Sequence, residues 1–587
     1  MTQPTVIGST VASLAPSPAE RRRVTLTGSE ALVRVLKASG VVDFYGVPGG
    51  TLNATLKAVA ADPELHFIGT RHEAPGAFMA AASFQGSGRL AACLGEMGPG
   101  SLNLLSGLGT AHNNNLALVA ITAGPPSSRA HPFRGMFMEF DGRRLFQAMT
   151  KWSEQVGQTR RIPQVVRWAL REALTGRPGP VHLDLPGDVL AGSAEFDPAE
   201  LDAPLERFVP GGRLPGEAAA IDSAARLLAR ARRPLLLGGG GVAVSEAAPG
   251  FRELMRRLGA AATATQMGLG VVDSSSPDFI GHGGVIGGPA VLQAMREADV
   301  VLAVGCRFSS WVWDGDAPAP PGWPDQELIQ VDRDPGMLGR LRAVSVPIVG
   351  DAKTVLEQLL AALPEGGARD EAWLRSLVEV YRAYRAELDR LADTPSEVMH
   401  PAALAREFGK FVPADALVVY DGGHTTFWSN EFTPAAEPRT RFHDPGMAHL
   451  GFGLPFALGL KHRFPQRPVF NVTGDGAFGF TLQELDTARR QGLAVVTLLH
   501  DNASFGIILA SQKPQGFEAG AVLEGTDYVA VARAFGCHAE RVTRPEEVGP
   551  ALRRALDSGL PAVVDARVFF DPYPALDAFR RMSAPPR

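Results

Sequence analysis

Residues 469–508 read VFNVTGDGAFGFTLQELDTARRQGLAVVTLLHDNASFGII. The apolar run 468–473 predicts a buried strand ending in Gly474-Asp475-Gly476. A helix is expected over 481–491, and a second apolar run, 493–499, ends in His500-Asp501-Asn502. Strand, turn, helix and strand in this order form a unit of parallel sheet. Asp475 and Asn502 then sit at the carboxyl ends of two strands, where open α/β sheets bind ligands. Glycines at 474 and 476 let backbone N–H groups approach an anion, and a helix N-terminus favours negative charge there. A carboxylate and an amide oxygen are hard ligands suited to magnesium, which normally keeps phosphate oxygens in its shell. The stretch predicts a site for magnesium and a diphosphate, against the plainer alternative of a tight, capped βα turn. Asn502 follows Asp475 by 27 positions.

The rest of the chain sets limits on what such a site serves. Its 587 residues suggest about three or four domains. With 45% hydrophobic and 20% charged residues, the composition is that of an ordinary globular protein. A net charge of −5 gives no reason to expect nucleic acid or an anionic membrane surface. No apolar run reaches the roughly 18 residues of a membrane span. Cys93, Cys306 and Cys537 are too scattered for a disulfide framework or a zinc site, which favours a reducing, cytoplasmic setting. Residues 1–23, rich in Ser, Thr, Pro and Ala and closing on Arg21-Arg22-Arg23, are expected to be a disordered tail rather than a signal peptide.

Three α/β units are expected. In the first, 24–192, helices alternate with strands at 42–45, 66–70, 90–94, 116–122 and 180–185, with turns at Val47-Pro48-Gly49-Gly50 and Gly98-Pro99-Gly100-Ser101. Arg71-His72-Glu73 opens a helix running to about Ser83. A Pro- and Gly-rich linker is expected over 191–216, then a middle unit, 210–365, with strands entering Gly238-Gly239-Gly240-Gly241 and Gly305-Cys306-Arg307. A second linker begins at 364–369. The third unit, 395–575, carries the opening stretch, preceded by Asp421-Gly422-Gly423-His424-Thr425. Alternating β and α elements imply doubly wound parallel sheets.

GDG followed at this spacing by Asn, together with the three-unit layout from about Val24 to Pro572, resembles the thiamin-diphosphate enzymes, in particular their acetolactate synthase and benzaldehyde lyase branches. One departure is Asp501-Asn502 where relatives carry Asn-Asn; the second residue, the family's metal ligand, is retained. The resemblance implies a fold of pyrimidine-binding, middle and diphosphate-binding domains. It implies thiamin diphosphate and Mg2+ as cofactors, with Asp475, Asn502 and the Ser504 carbonyl on the metal. Gly474, Gly476, Ala477, Phe478, His424 and Thr425 would lie at the diphosphate. Glu73 matches the glutamate that activates the cofactor's aminopyrimidine, Leu450 in His449-Leu450-Gly451-Phe452-Gly453 matches the apolar residue that bends it, and Gly50 matches a glycine beside its reactive carbon. On its own, Glu73 would read as a carboxylate complementing a helix dipole.

The likeness weakens on the substrate side. Acetolactate synthases read Phe-Gln-Glu-Thr-Asp where this chain has Phe137-Met138-Glu139-Phe140-Asp141, so Met138 replaces a polar group near the reacting substrate. Phe133, Phe137, Phe140 and Phe146 predict either a roomier apolar pocket or plain core packing. His112 and His131 are candidate proton shuttles. In the middle unit the glycine run and Val331-Asp332-Arg333-Asp334 are similar to a flavin-carrying domain, but Arg307-Phe308-Ser309-Ser310-Trp311 loses flavin contacts. FAD, an adenine nucleotide or no ligand all remain open there. The implied activity is carboligation: a 2-oxo acid is decarboxylated and its acyl unit passed to a second carbonyl. Simple decarboxylation, benzaldehyde lyase-like C–C cleavage and a non-catalytic paralogue are the alternatives. The implied substrates are 2-oxo acids or aldehydes, and the implied assembly is a homodimer or dimer of dimers with sites at the interface.

Overall fold

The computed structural model describes residues 23–130, 132, 134–284, 287–309, 312, 325–364 and 369–574. The expected tail, His131, Phe133, Ser310 and Trp311 lie outside the described residues, apart from Arg23.

Three parallel sheets build the molecule. The first runs His66–Gly69, Asp43–Gly46, Ala92–Gly95, Val119–Gly124, Val181–Pro186, Trp152–Gln155. The second has five strands, in the order Ala261–Ala264, Pro234–Gly238, Val300–Val304, Glu327–Asp332, Val346–Val349. The third runs Arg441–Phe442, Leu417–Asp421, Val469–Gly474, Val496–Asp501, Ala562–Arg567, His538–Val542. Their central strands are buried along nearly their whole length, as continuous apolar runs in helix-covered parallel sheets must be. Strand ends sit within a few residues of the sequence expectation. The helix expected over 481–491 starts only at Glu484, because a single helical turn, Asp475–Phe478, comes first.

Both intervals expected as linkers contain structure. After the first unit, Ser193–Phe196 pairs antiparallel with Val24–Thr27 and closes the unit on its own beginning. Asp370 caps a helix, Glu371–Ala392, that packs on the middle and third units through Trp373, Leu377 and Leu388. Two strands escaped the sequence reading in the middle unit, Ala261–Ala264 and Val346–Val349, both short and flanked by stronger helical patterns.

One helix joins the first and third units. Glu73–Ser87 (EAPGAFMAAASFQGS) is buried from Glu73 to Phe84 on every side, so it carries no amphipathic stripe. Its small residues let two other helices approach. A Cβ on Gly459, in Gly453–Arg463, would lie 2.7 Å from Met79 Cα, and one on Gly107, in Pro99–Asn114, would lie 2.6 Å from Ala77 Cβ. Replacing either glycine would force the helices apart. No helix of the described residues is long and apolar enough to cross a membrane.

Candidate active site

In the third sheet the chain leaves Leu417–Asp421 toward Arg441–Phe442 on one side and leaves Val469–Gly474 toward Val496–Asp501 on the other. These two strands are neighbours, so the crevice between their carboxyl ends is the topological switch point. The Gly422–Thr425 and Gly474–Phe478 turns face each other across it. A Cβ on Gly422 would lie 3.6 Å from Ala477 Cβ, and one on Gly474 would lie 3.1 Å from Thr425 Oγ1. From the next strand end, Gly506 comes so close that a Cβ there would sit 2.9 Å from His424 Nδ1 and 3.4 Å from Asn502 Nδ2. His424, Thr425, Gly474, Asp475, Ala477, Asn502 and Ser504, scattered over 81 positions, therefore share one place, with Gly476 on the same turn and the Phe478 ring turned into the core against Tyr528.

The oxygen donors converge. Ser504 N donates to Asp475 Oδ2 and to Asn502 Oδ1, each at 3.1 Å, and Ser504 Oγ donates to Asn502 Oδ1 at 2.9 Å. Asp475 is buried, and burial followed by the Asp501 charge pushes its carboxyl up to about 7. A buried carboxylate with an amide oxygen beside it is a donor set that fits a hard divalent cation, whose charge would relieve that strain. Asp501, the departure from Asn-Asn, faces a different partner: Arg567 Nη1 lies 2.8 Å from its Oδ2.

Leu450 is half-buried in a loop fixed from two sides. Asp421, at the end of its strand, accepts from Gly451 N (3.0 Å) and Gly453 N (3.0 Å), and burial pushes its carboxyl up to about 7. Gly451 has φ +86°, which explains a glycine there, and its carbonyl accepts from Thr481 Oγ1 at 2.7 Å. From the other side, Asp444 accepts from His449 N (3.1 Å) and from Thr110 Oγ1 (2.9 Å) in the first unit. Asp421 and Asp444 were not identified from the sequence. Asp421 had a visible signal, a carboxylate ending a strand before two glycines; Asp444 had none.

Glu73 occupies the first residue of the buried helix. Its Oε2 accepts from Asn103 Nδ2 at 2.9 Å, and its Oε1 would lie 2.9 Å from a Cβ on Gly100. The turn before it is held by Glu484, whose buried carboxylate accepts from Arg71 N at 3.1 Å and from Thr487 Oγ1 at 2.6 Å; burial pushes it up to about 7. Met138, at φ +62°, covers Gly98, where a Cβ would lie 2.7 Å from Met138 Cβ. Gly50 faces open space, next to a turn whose Thr51 and Leu52 amides donate to Glu96. Gly98, Gly100 and Glu96 place Met138, Gly50 and Glu73 at one end of the first sheet.

His112 is elsewhere. It lies twelve residues along the helix from Gly100, about 18 Å at 1.5 Å per residue. There it is lowered in pKa by burial and by Arg177 and Arg307. The structure does not bring it to Glu73 within the chain. The aromatic loop divides too: Phe137 is 80% exposed, Phe140 is half-buried, and Phe146 is core, stacked on His182 at 3.8 Å. A cavity of about 380 Å³ is lined by Gly240, Gln266, Arg307, Asp332 and Arg333 of the middle unit, with Arg177 of the first unit and Arg441 of the third. Gln266 is buried there without a hydrogen bond to its side chain among the described residues.

The sequence matches three family models: "Thiamine pyrophosphate enzyme, N-terminal TPP binding domain" over 26–145, "central domain" over 221–359, and "C-terminal TPP binding domain" over 421–566. It is 32% identical to a probable acetolactate synthase large subunit of Methanocaldococcus jannaschii, over 94% of this chain and 93% of that protein. It is 31% identical to the acetolactate synthase large subunit of Corynebacterium glutamicum, over 95% and 88%, and 30% identical to the acetolactate synthase isozyme 2 large subunit of Escherichia coli, over 92% and 96%. The chain belongs to the thiamine pyrophosphate enzyme family.

Proposed function

We propose that the protein is a thiamin-diphosphate- and Mg2+-dependent carboligase of the acetolactate synthase type. It decarboxylates a 2-oxo acid and passes the acyl unit to a second carbonyl, giving a 2-hydroxy ketone or acid. The observation that carries this reading is the convergence of Asp475 Oδ2 and Asn502 Oδ1 on one backbone amide at the switch point of the third sheet. The names of the relatives agree with it.

Bound thiamin diphosphate supplies the nucleophilic carbon and the electron sink. Asp475, Asn502 and the Ser504 carbonyl hold Mg2+. Gly474, Gly476, Ala477 and Phe478, with His424 and Thr425, hold the diphosphate. Leu450, braced by Asp421 through the Gly451 and Gly453 amides, would pack against the cofactor. Glu73 accepts a hydrogen bond at the pyrimidine ring and handles its proton; its buried place at a helix start keeps water away from that oxygen. Gly50 leaves room beside the reacting carbon, and Met138 gives the acceptor an apolar wall. Residues 24–192, 210–365 and 395–575 act as pyrimidine-binding, middle and diphosphate-binding domains.

The hydrogen bonds found for Glu73 stay within the first unit. The family resemblance implies an assembly in which Glu73 of one chain completes the Asp475 site of another, in a homodimer or dimer of dimers. The basic middle cavity, with its unpaired Gln266, suits a nucleotide-bearing ligand, FAD or an adenine nucleotide. Cys93, Cys306 and Cys537 are free and buried, which agrees with work in the cytoplasm.

Mass spectrometry of products from paired 2-oxo acid donors and carbonyl acceptors tests the reading. The expected product is the condensed 2-hydroxy ketone or acid, reduced by roughly 10²-fold or more in Glu73→Gln. Free aldehyde as sole product would instead identify a decarboxylase. No turnover on any donor while the cofactor still binds would leave a non-catalytic paralogue.

A further inference from the structure

Away from the candidate active site, three side chains of ligand type point at one spot. Asp43 opens the strand Asp43–Gly46 and His66 opens the neighbouring edge strand, where the two are register partners. His462 lies in the last turn of Gly453–Arg463, in the third unit. Asp43 Oδ1 is 3.1 Å from His66 Nδ1 and 2.9 Å from His462 Nε2, and the three atoms all lie within 4.8 Å of one another.

The two Asp43–histidine separations are hydrogen-bond lengths that also lie close to the ligand–ligand spacing around a shared ion. Two bonds of about 2.0–2.1 Å meeting at a tetrahedral angle leave their ligand atoms about 3.3 Å apart. The two imidazole rings are crossed at 72° with centroids 5.5 Å apart, so neither ring blocks the other's nitrogen. Asp43 is buried, with its side chain 11% exposed. Next to the cluster, the Tyr45 ring stands edge-on to His462 at 6.0 Å, and its buried hydroxyl has no hydrogen-bond partner among the described residues. The His66 side chain is 52% exposed, which provides an entry path and room for a water ligand.

We propose that Asp43, His66 and His462 bind a divalent transition metal of the zinc class, which clips the first unit to the third within one chain. The donor set separates this site from the Asp475 site. Two imidazoles and one carboxylate select zinc-like ions, whereas carboxylate, amide and carbonyl oxygens select magnesium. The clip sits at the contact that also carries helix Glu73–Ser87 against Gly453–Arg463, since Tyr45 and His462 flank that packing.

The full chain, untagged and treated with chelator, is titrated with Zn2+ in excess Mg2+ by calorimetry, with Co2+ absorption as a spectroscopic readout and thermal melting alongside. One saturable Zn2+ per chain is expected, with a raised Tm and a visible Co2+ spectrum of low-coordinate nitrogen and oxygen ligation. His66→Gln and His462→Gln should each weaken binding about 100-fold or more, because loss of a ligand exceeds the roughly 10–100-fold effect of an outer-shell partner. Absence of a saturable equivalent at micromolar Zn2+, or an equivalent that persists in His66→Gln, overturns the site. Binding that leaves Tm unmoved overturns the clip. If His462→Gln does not fold, His66→Gln, on an exposed edge, decides alone.

Discussion

Glu73 is the first residue of a helix that has no polar face, and its neighbours explain why it can sit there. Asn103 donates to one oxygen, Gly100 leaves space at the other, and Glu484 holds the preceding turn by the Arg71 amide. Glu484 is a positioning residue with a testable titration. Its folded pKa is raised to about 7 by burial, against about 4.3 for an ordinary glutamate. The folded chain therefore holds this proton more tightly than the unfolded one. That contribution to stability is fully present below about pH 4 and is lost as pH rises through about 7. Glu484→Gln keeps an acceptor for Arg71 N and removes the buried charge. Melting from about pH 5.5 to about pH 8.5 should show the Tm of the variant, relative to wild type, moving upward with pH; a constant difference would contradict the assignment. Arg71-His72-Glu73 was legible in the sequence because it opens an apolar run. Glu484 was not, because its partner lies 413 positions away and only packing of the third unit on the first brings them together.

At the scale of elements, strands read well and turns read only in part. Val469–Gly474, Val496–Asp501, Ala92–Gly95 and Val119–Gly124 are buried, largely apolar runs, a pattern that survives burial on both faces, whereas the polar Trp152–Gln155 of the first unit was not expected. Ser193–Phe196 was missed because its first three residues are small or polar and largely exposed and only Phe196 is buried, so its pairing with Val24–Thr27 is set by chain closure rather than by periodicity. Phe146 shows the limit for side chains: aromatic spacing could not separate a core ring stacked on His182 from a pocket wall. The loop of Leu450 depends on Asp421, which satisfies two buried amides. Asp421→Ala leaves both unpaired, at about 1–3 kcal/mol each before relaxation, and should lower Tm by several degrees and reduce turnover together. Asp421→Asn keeps one acceptor and should restore most of the Tm. If Asp421→Ala melts like wild type, the brace carries no load. Gly506→Ala tests the crevice itself. Its Cβ would press on His424 Nδ1, so cofactor affinity should fall with little loss of Tm, as measured by binding of thiamin diphosphate with Mg2+.

The whole molecule divides a proposed active site between distant parts of the sequence. Glu73, Gly50 and Met138 cluster at one end of the first sheet. Asp475, Asn502, His424 and Leu450 cluster at the switch point of the third. Composition and motif order were enough to expect three α/β units, since each carries its own strand-and-glycine signature. The assembly of two halves into one site was not visible from spacing, because it depends on how chains pair. The direct test mixes two inactive variants, Glu73→Gln and Asp475→Ala, co-expressed with different tags so that mixed dimers can be isolated and assayed for 2-hydroxy ketone or acid. If each site takes Glu73 from one chain and Asp475 from the other, a mixed dimer has one wholly intact site and one doubly damaged site. Random mixing makes half of the dimers mixed, so total activity should recover to about one quarter of wild type, and purified mixed dimers to about one half. Activity of the mixed dimer no higher than that of either variant alone would contradict the shared site.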